Sequence, residues 1–153
     1  MTPIFLSLGS SIGNAEEIFE TVTKAFEKQN IKILKKSKNL KNAAYGGVAK
    51  NEFTNAVWEV ETELSPEDLL KVLQAVEQSQ GRVRDVKWSD RTLDIDILMF
   101  DQMILDQENL KIPHPEISKR LFVLQPWREL VDERFEIPTL GRLSELLEHV
   151  SDD

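Results

Sequence analysis

Apolar and polar residues alternate along the chain with two different periods, and these periods predict strands and helices in turn. The apolar segment Met1–Leu8 predicts a first strand. Residues 14–27 then predict a helix, because apolar side chains recur there at helical spacing: Ile18, Val22, Ala25 and Phe26. Residues 31–37 follow as a second, basic strand. Residues 39–52 show no period and contain Gly46-Gly47, which is typical of a lid or binding loop.

The second half of the pattern repeats this order. Phe53–Thr62 alternates as a strand, with two faces: Thr54, Ala56, Trp58 and Val60 on one, Phe53, Asn55, Val57 and Glu59 on the other. Ser65 as N-cap and Pro66 at the first helical position open a helix that ends at Gly81. Its core stripe is Leu69, Val72, Leu73 and Val76, with Leu70, Gln74 and Glu77 on a neighbouring side.

A strand at Arg91–Phe100, a hairpin at Ile104–Ile112 and a last amphipathic helix complete the pattern. That helix carries Leu143, Leu146, Leu147 and Val150. The order strand, helix, strand, strand, helix, strand predicts an α+β fold, a ferredoxin-like sandwich. Its antiparallel sheet would have helices on one face and a free face for a site.

Length and composition narrow the class of protein. With 153 residues and no cysteine, the chain is expected to be one domain, 1–153, without disulfides or a thiolate zinc site. The start of the chain lacks the features of a signal peptide, and no stretch approaches the ~20 apolar residues of a spanning helix. We therefore expect a cytoplasmic protein. Its net charge of −8 argues against nucleic acid and anionic membranes as partners.

Two carboxylates on one strand face are the sharpest chemical signal. In the segment 91–98, Asp94 and Asp96 point to one side of the strand. Leu93, Ile95 and Ile97 point to the other. Neighbouring carboxylates repel unless a cation lies between them, and hard oxygen ligands suit Mg²⁺, which takes substrate phosphates as further ligands. An ordinary solvated strand face has the same alternation, so the pair alone is not specific.

A locally basic segment precedes the carboxylates. Residues 82–91 contain Arg82, Arg84, Lys87 and Arg91, and arginine forks match phosphate oxygens. Singly, such arginines belong in solvated loops or salt bridges. Trp88, in the same segment, is either a partly buried anchor or a flap over a nucleotide.

Further candidates lie upstream and downstream. His114 stands between two prolines with Arg120 nearby, which permits a phosphate contact, although a lone histidine is more often structural. Phe53 and Phe122 can supply aromatic faces and Asn55 a hydrogen-bonding edge for a flat heterocycle, although core positions are the commoner explanation for the phenylalanines. The chain has neither a Walker loop nor the protein-kinase motifs.

Taken together, these segments resemble the 6-hydroxymethyl-7,8-dihydropterin pyrophosphokinase family over nearly the whole chain. The matching segments are Leu8-Gly9-Ser10, Phe53–Val57, Gly81–Arg84, Trp88, Arg91–Leu98, Pro113-His114-Pro115 and Phe122-Val123-Leu124. The resemblance implies the ferredoxin-like fold and transfer of pyrophosphate from ATP to the hydroxymethyl group of the dihydropterin, releasing AMP. We expect small molecules as partners, no nucleic acid or membrane, and a monomer or weak dimer.

The resemblance further implies residue roles. Asp94 and Asp96 would hold two Mg²⁺ ions and, with Arg82 and Arg91, form the catalytic set. The phosphates and the nucleotide would meet Leu70, Gln74, Glu77, Arg84, Trp88, Ile97, His114 and Arg120. The pterin would lie between Phe53 and Phe122, with Asn55 reading its edge and Gly9 and Gly46 lining the pocket. Loop closure through Arg84 and Trp88 would exclude water.

The chain departs from the family pattern on the pterin side. Asn42–Gly46 stands where the family has a T-x-P-x-G element, and Lys50 lies near a usual glutamine. Two rival functions therefore remain: the same transfer to another small alcohol, and a non-catalytic nucleotide-binding module of the same fold. A nucleic-acid-binding ferredoxin-like domain fits the acidic chain poorly.

Overall fold

The computed structural model describes residues 3–10, 15–42, 53–79 and 93–151. Within these ranges, nine strands and four α-helices follow one another: β1 (Ile4–Ser10), α1 (Ala15–Lys28), β2 (Lys32–Lys36), β3 (Leu40–Asn42), β4 (Phe53–Glu61), α2 (Pro66–Ser79), β5 (Asp94–Phe100), β6 (Leu105–Gln107), β7 (Leu110–Ile112), α3 (Leu121–Arg128), β8 (Glu136–Ile137), β9 (Gly141–Arg142) and α4 (Leu143–Ser151). Among the described residues, no helix is long and apolar enough to cross a membrane.

The main sheet has five strands, in the order β2-β4-β1-β5, with β3 also paired to β4. All its pairings are antiparallel. β1 lies between β4 and β5, the strands that precede and follow α2. The α+β class and the ferredoxin-like order of strands and helices predicted from the sequence are confirmed.

One sheet face lies under α1 and α2, as predicted. Ile4, Leu6 and Leu8 of β1 point to this face and join a core with Trp58 of β4. The rings of Phe19 and Phe26 from α1 meet Trp58 edge-on, with centroids 6.0 and 5.9 Å away. Helix α2 begins as predicted, because the Asp68 amide donates to the Ser65 hydroxyl at 3.1 Å.

The second face is not free along its whole length, which corrects the prediction that helices cover one face only. A second core joins Phe5, Val57 and Met99 of the sheet to the helices that follow β7. Its helical residues include Val123, Leu124 and Trp127 of α3 and Leu143 and Leu147 of α4. The physical reason is that one end of this face carries apolar side chains, which need a cover.

Two local predictions are also corrected. Residues 40–42, placed in the aperiodic loop 39–52, form strand β3 on the end of β4. Between β2 and β3, Ser37 continues the edge: its amide donates to the Val57 carbonyl and its hydroxyl accepts from the Val57 amide, both at 2.9 Å. Helix α3 was not predicted at all. The rest of the loop, 43–52, lies outside the described residues.

Candidate active site

The second sheet face changes character from one end to the other. Cross-strand partners there form three rows: Glu59–Phe5–Met99, Val57–Ser7–Asp96 and Asn55–Gly9–Asp94. Because partners in an antiparallel pair project to the same side, each row brings three strands together. Phe5 and Met99 of the first row and Val57 of the second belong to the core covered by α3 and α4. The rest of the second row and the third row carry the polar groups. We call this polar end, with His114 and Arg120 beside it, the carboxylate end.

Asp94 and Asp96 stand on this face as the alternation predicted. Both are partly buried, while Ile95 between them is only 4% exposed and lies in the core on the opposite face. The side chain of Asp96 is 42% exposed, so solvent or a ligand can reach it. The structure thus confirms that the two carboxylates share one face of β5.

His114 is held beside Asp96 by its backbone and its ring. Its amide donates to the Leu98 carbonyl at 3.0 Å, which ties the residue to the edge of β5. Its Nδ1 atom accepts from the Glu116 amide at 3.1 Å. The other ring nitrogen, Nε2, therefore faces Asp96 Oδ2, 3.9 Å away.

The charge state of His114 follows from its surroundings. Burial lowers the pKa of the imidazole below 6.5; Asp96 and Glu116 oppose this shift, and Arg120 reinforces it. A neutral imidazole that accepts at Nδ1 carries its proton on Nε2. His114 thus presents an N–H donor toward the carboxylate end.

Arg120 approaches the same oxygen atom from another element. It lies between a 3₁₀ turn, Ile117–Lys119, and the first residue of α3. One guanidinium nitrogen is 3.7 Å from Asp96 Oδ2, and the guanidinium carbon is 5.9 Å from the centre of the Phe122 ring. Asp96, His114, Arg120 and Phe122, which the sequence analysis grouped, therefore come together.

Gly9 leaves room beside Asn55. A Cβ atom at Gly9 would lie 3.0 Å from Asn55 Oδ1, closer than side chains normally approach. Asn55 itself is only 8% exposed and pairs with Gly9 across the sheet. The predicted proximity of Gly9 and Asn55 is thus observed. Phe53 is the first residue of β4 and pairs with Asn42, but its side chain lies outside the described part.

The residues predicted around the nucleotide lie elsewhere in the fold. Leu70 packs partly buried against the core under α2, and Gln74 is exposed. Glu77 is buried, and its Oε2 atom accepts from the Ile95 amide at 2.7 Å. The Ile97 side chain is in the same core at 3% exposure, so only its backbone is left to meet a ligand. Glu77 thus reaches β5 from the side opposite to Asp94 and Asp96.

Five predicted site residues are outside the described residues: Gly46, Arg82, Arg84, Trp88 and Arg91. Their roles remain predictions.

Sequence reasoning overlooked one residue and one contact that the structure brings to this region. Ser7, 8% exposed, lies between Val57 and Asp96 in the second row. The alternation of β1 contained the signal, since a serine there falls in the polar phase. The bond from Glu77 to the Ile95 amide depends on how α2 packs on β5, and no local pattern reveals it.

The donor set suits a magnesium site that is completed by substrate. Among the residues the structure describes, no three His, Cys, Asp or Glu side chains gather into a closed metal site. Two carboxylates on one open face are what Mg²⁺ commonly uses when waters and substrate phosphates supply its other ligands. The residues present therefore fit Mg²⁺ with a polyphosphate.

Comparison with known proteins adds a family. A model of the family 7,8-dihydro-6-hydroxymethylpterin-pyrophosphokinase (HPPK) matches residues 5–132. The chain is similar to two proteins named 2-amino-4-hydroxy-6-hydroxymethyldihydropteridine pyrophosphokinase. The one from Pseudomonas aeruginosa is 37% identical over 145 residues, which cover 94% of this chain and 89% of that protein. The one from Haemophilus influenzae is 35% identical over 153 residues, 99% of this chain and 95% of that protein.

Solved structures show the same fold. An HPPK-DHPS structure in complex with substrates superposes with a TM-score of 0.76 at 13% identity and covers 99% of this chain. A Plasmodium falciparum HPPK-DHPS triple mutant with pteroate gives a TM-score of 0.77 at 16% identity, again over 99% of this chain. The chain spans 43% and 44% of the length of these two proteins.

Proposed function

This chain belongs to the 7,8-dihydro-6-hydroxymethylpterin-pyrophosphokinase family, and from that premise we propose how its residues serve the reaction. The chain is an ATP-dependent pyrophosphokinase of folate biosynthesis. It transfers the terminal diphosphate of ATP to the hydroxymethyl group of 6-hydroxymethyl-7,8-dihydropterin, which yields the pterin diphosphate and AMP. The observation that carries the assignment of the site is the carboxylate end, where Asp94 and Asp96 share a face with Asn55 and Gly9.

Asp94 and Asp96 would hold two Mg²⁺ ions. When bound, the ions neutralise the triphosphate and orient its β-phosphorus toward the acceptor oxygen. The support for this role is the chemistry of the pair: two partly exposed carboxylates, one residue apart, on an open part of the sheet. The protein contributes position, because β1 fixes both residues through its pairing with β5.

His114 and Arg120 would bind phosphate oxygens. Their nitrogen atoms lie 3.9 and 3.7 Å from Asp96 Oδ2, too far for strong hydrogen bonds and near enough to turn toward an anion bound beside Asp96. A neutral His114 donates from Nε2 without adding a charge, while Arg120 supplies a positive one. With Arg82 and Arg91 from the preceding segment, these donors would stabilise the charge that develops on transfer.

The pterin would lie over the last row of the face. Asn55 offers a carbonyl oxygen and an amide group to a heterocycle edge, and Gly9 leaves the space next to it open. Phe122, whose ring centre lies 5.9 Å from the Arg120 guanidinium carbon, would supply one aromatic face. Phe53 would supply the other, and Gly46 would line the pocket.

The nucleotide would lie along the outer edge of β5 beside α2. β5 is an edge strand of the described sheet, and the Ile95 amide points away from β1 toward Glu77. The backbone N–H and C=O groups of successive residues in an antiparallel strand point alternately to its two edges. Those of Ile97 therefore point away from β1, like those of Ile95. Leu70 and Gln74 of α2 would flank that edge, and Arg84 and Trp88 would close over the ligand.

We further infer that the chain works in the cytoplasm as a monomer or weak dimer, with small molecules and no nucleic acid as partners. The absence of cysteine and the net charge of −8 support this inference.

One assay tests the acceptor and the chemistry together. The protein is incubated with ATP, Mg²⁺ and 6-hydroxymethyl-7,8-dihydropterin, and AMP and the pterin diphosphate are quantified. We expect AMP only when pterin and Mg²⁺ are both present. AMP formation that another small alcohol supports better than the pterin would show a changed acceptor. ATP binding without AMP formation would show a non-catalytic module.

A further inference from the structure

The amide of Ile95 has a partner that no strand supplies. Its nitrogen lies 2.7 Å from Glu77 Oε2, and both residues are buried, at 4% and 7% exposure. A hydrogen bond to a carboxylate is shorter and stronger than one between neutral groups. Helix α2 is therefore hydrogen-bonded to β5 through the buried Glu77 side chain.

This hydrogen bond lies between the two carboxylates of the site. Ile95 separates Asp94 from Asp96, so the rotation and height of its peptide set the direction in which both acidic side chains project. On the other edge of β5, Asp94 pairs with Gly9 and Asp96 with Ser7. β5 is thus held on both edges along the segment 94–96, which carries the two carboxylates.

We propose that Glu77 is a positioning residue for the metal site: its bond to the Ile95 amide fixes the spacing and direction of Asp94 and Asp96. This inference rests on the metal role proposed for the two aspartates. The Glu77 side chain lies on the α2 side of the sheet and acts through the strand. The proposed role therefore differs from the nucleotide contact that the family resemblance implies for Glu77.

The physical need for such a support is the repulsion between the aspartates. Two ionised carboxylates on one face push apart until a cation lies between them, and an outer strand has freedom to twist in response. The bond between Glu77 and the Ile95 amide joins two protein groups, so it can hold the strand before substrate binds. A site positioned beforehand loses less free energy when it orders around its ligands.

Two variants of Glu77 separate the effect of side-chain length from the effect of charge. Glu77→Gln keeps an oxygen at the same reach and removes the charge, whereas Glu77→Asp keeps the charge and shortens the reach by one methylene. Gln78→Ala, on the exposed neighbouring position of α2, is the matched control for a disturbed helix. The readout is Mn²⁺ affinity, measured by electron paramagnetic resonance titration with saturating α,β-methylene-ATP.

We expect Glu77→Asp to weaken Mn²⁺ binding about tenfold or more, as losses of residues that support metal ligands commonly do. Glu77→Gln should stay within about threefold of the native protein, because its amide oxygen can still accept from the Ile95 amide. Gln78→Ala should match the native protein. Hydrogen exchange of the Ile95 amide should accelerate in Glu77→Asp and not in Glu77→Gln. Affinity for the nucleotide analogue in EDTA should be unchanged in Glu77→Asp.

Three outcomes would overturn the proposal. These are native Mn²⁺ affinity in Glu77→Asp, equal losses in Glu77→Asp and Glu77→Gln, and a larger loss of metal-free nucleotide affinity than of Mn²⁺ affinity. Asp96→Asn is included to separate this failure from that of the metal assignment. If Asp96→Asn binds Mn²⁺ like the native protein, the metal role of the aspartate is wrong, whatever Glu77 does.

Discussion

Asp96 is the residue where the contacts of the carboxylate end converge. His114 and Arg120 both point at its Oδ2 atom, and its side chain is 42% exposed. Replacing it with asparagine removes the charge and keeps the shape. We expect kcat to fall by about 10²–10³-fold or more, because the residue helps to stabilise charge in the transition state. Steady-state AMP formation measures the change, and circular dichroism should show an intact fold.

Asp106→Asn is the control for the loss of one carboxylate. Asp106 lies in the β6–β7 hairpin with its side chain 82% exposed, and its Oδ1 atom is 3.1 Å from Lys111 Nζ. Its variant should retain native turnover. Native turnover in Asp96→Asn would contradict the metal assignment.

Gly9 is expected to affect pterin affinity by leaving space for the Asn55 side chain. Gly9→Ala places a Cβ atom 3.0 Å from Asn55 Oδ1, so the amide must move by a few tenths of an ångström. Because that amide is proposed to read the pterin, the variant should bind the pterin about two- to tenfold more weakly, the equivalent of about one net hydrogen bond.

Isothermal titration with the pterin and, separately, with an ATP analogue measures this effect. The nucleotide affinity of Gly9→Ala should equal that of the native protein. A loss in both affinities would indicate a general distortion of β1 rather than a local effect at Asn55.

The residues that the sequence identified correctly share a simple origin. Strand alternation sufficed to place Asp94 and Asp96 on one face of β5 and Asn55 opposite the core side of β4, because the period of two is a local property. The partner of Glu77 could not be predicted in this way, since it depends on how a helix packs across a strand eighteen residues away.

Helix α2 is the element that connects the core to β5. Its first turn is capped by Ser65, which accepts from the Asp68 amide at 3.1 Å. Ser65→Ala should lower the free energy of unfolding by about 1 kcal/mol, the usual cost of losing such a cap. The KM values for ATP and pterin should stay native, because the cap lies at the end of the helix away from Glu77.

Urea unfolding at equilibrium measures the loss, with Ser65→Asn as the control that retains a capping oxygen. An Ser65→Ala protein with native stability would show that the cap contributes nothing. A raised KM with native stability would show that the start of α2 belongs to the site.

The elements that sequence reasoning overlooked are short or contain a residue that normally breaks a helix. Helix α3 has eight residues with Pro126 inside, so its pattern resembles a loop. Strand β3 has three residues, too few for an alternation to stand out. Both owe their form to tertiary contacts: β3 to its pairing with β4, and α3 to the apolar side chains Phe5 and Val57 beneath it.

At the scale of the molecule, the strand order builds the carboxylate end. Asn55, Gly9 and Asp94 come from three strands widely separated in the chain, and only the central place of β1 puts them in one row. The helices α3 and α4 then cover the apolar part of the same face and leave the polar part for ligands. This division explains how one small sheet supports both a closed core and an open site.

A ligand that binds only the folded chain must raise its unfolding temperature, and this links the site to the whole molecule. At about 100 times its Kd, a non-hydrolysable ATP analogue with Mg²⁺ should stabilise the protein by about 2.7 kcal/mol. For a chain of this length that corresponds to a rise of about 5–10 °C. Differential scanning fluorimetry measures it, with the same analogue in EDTA as the control.

Because the carboxylates are proposed to bind the analogue through the metal, EDTA and Asp96→Asn should each remove most of the rise. An equal rise with and without Mg²⁺ would mean that the nucleotide is held by the side chains of α2 and the basic segment alone.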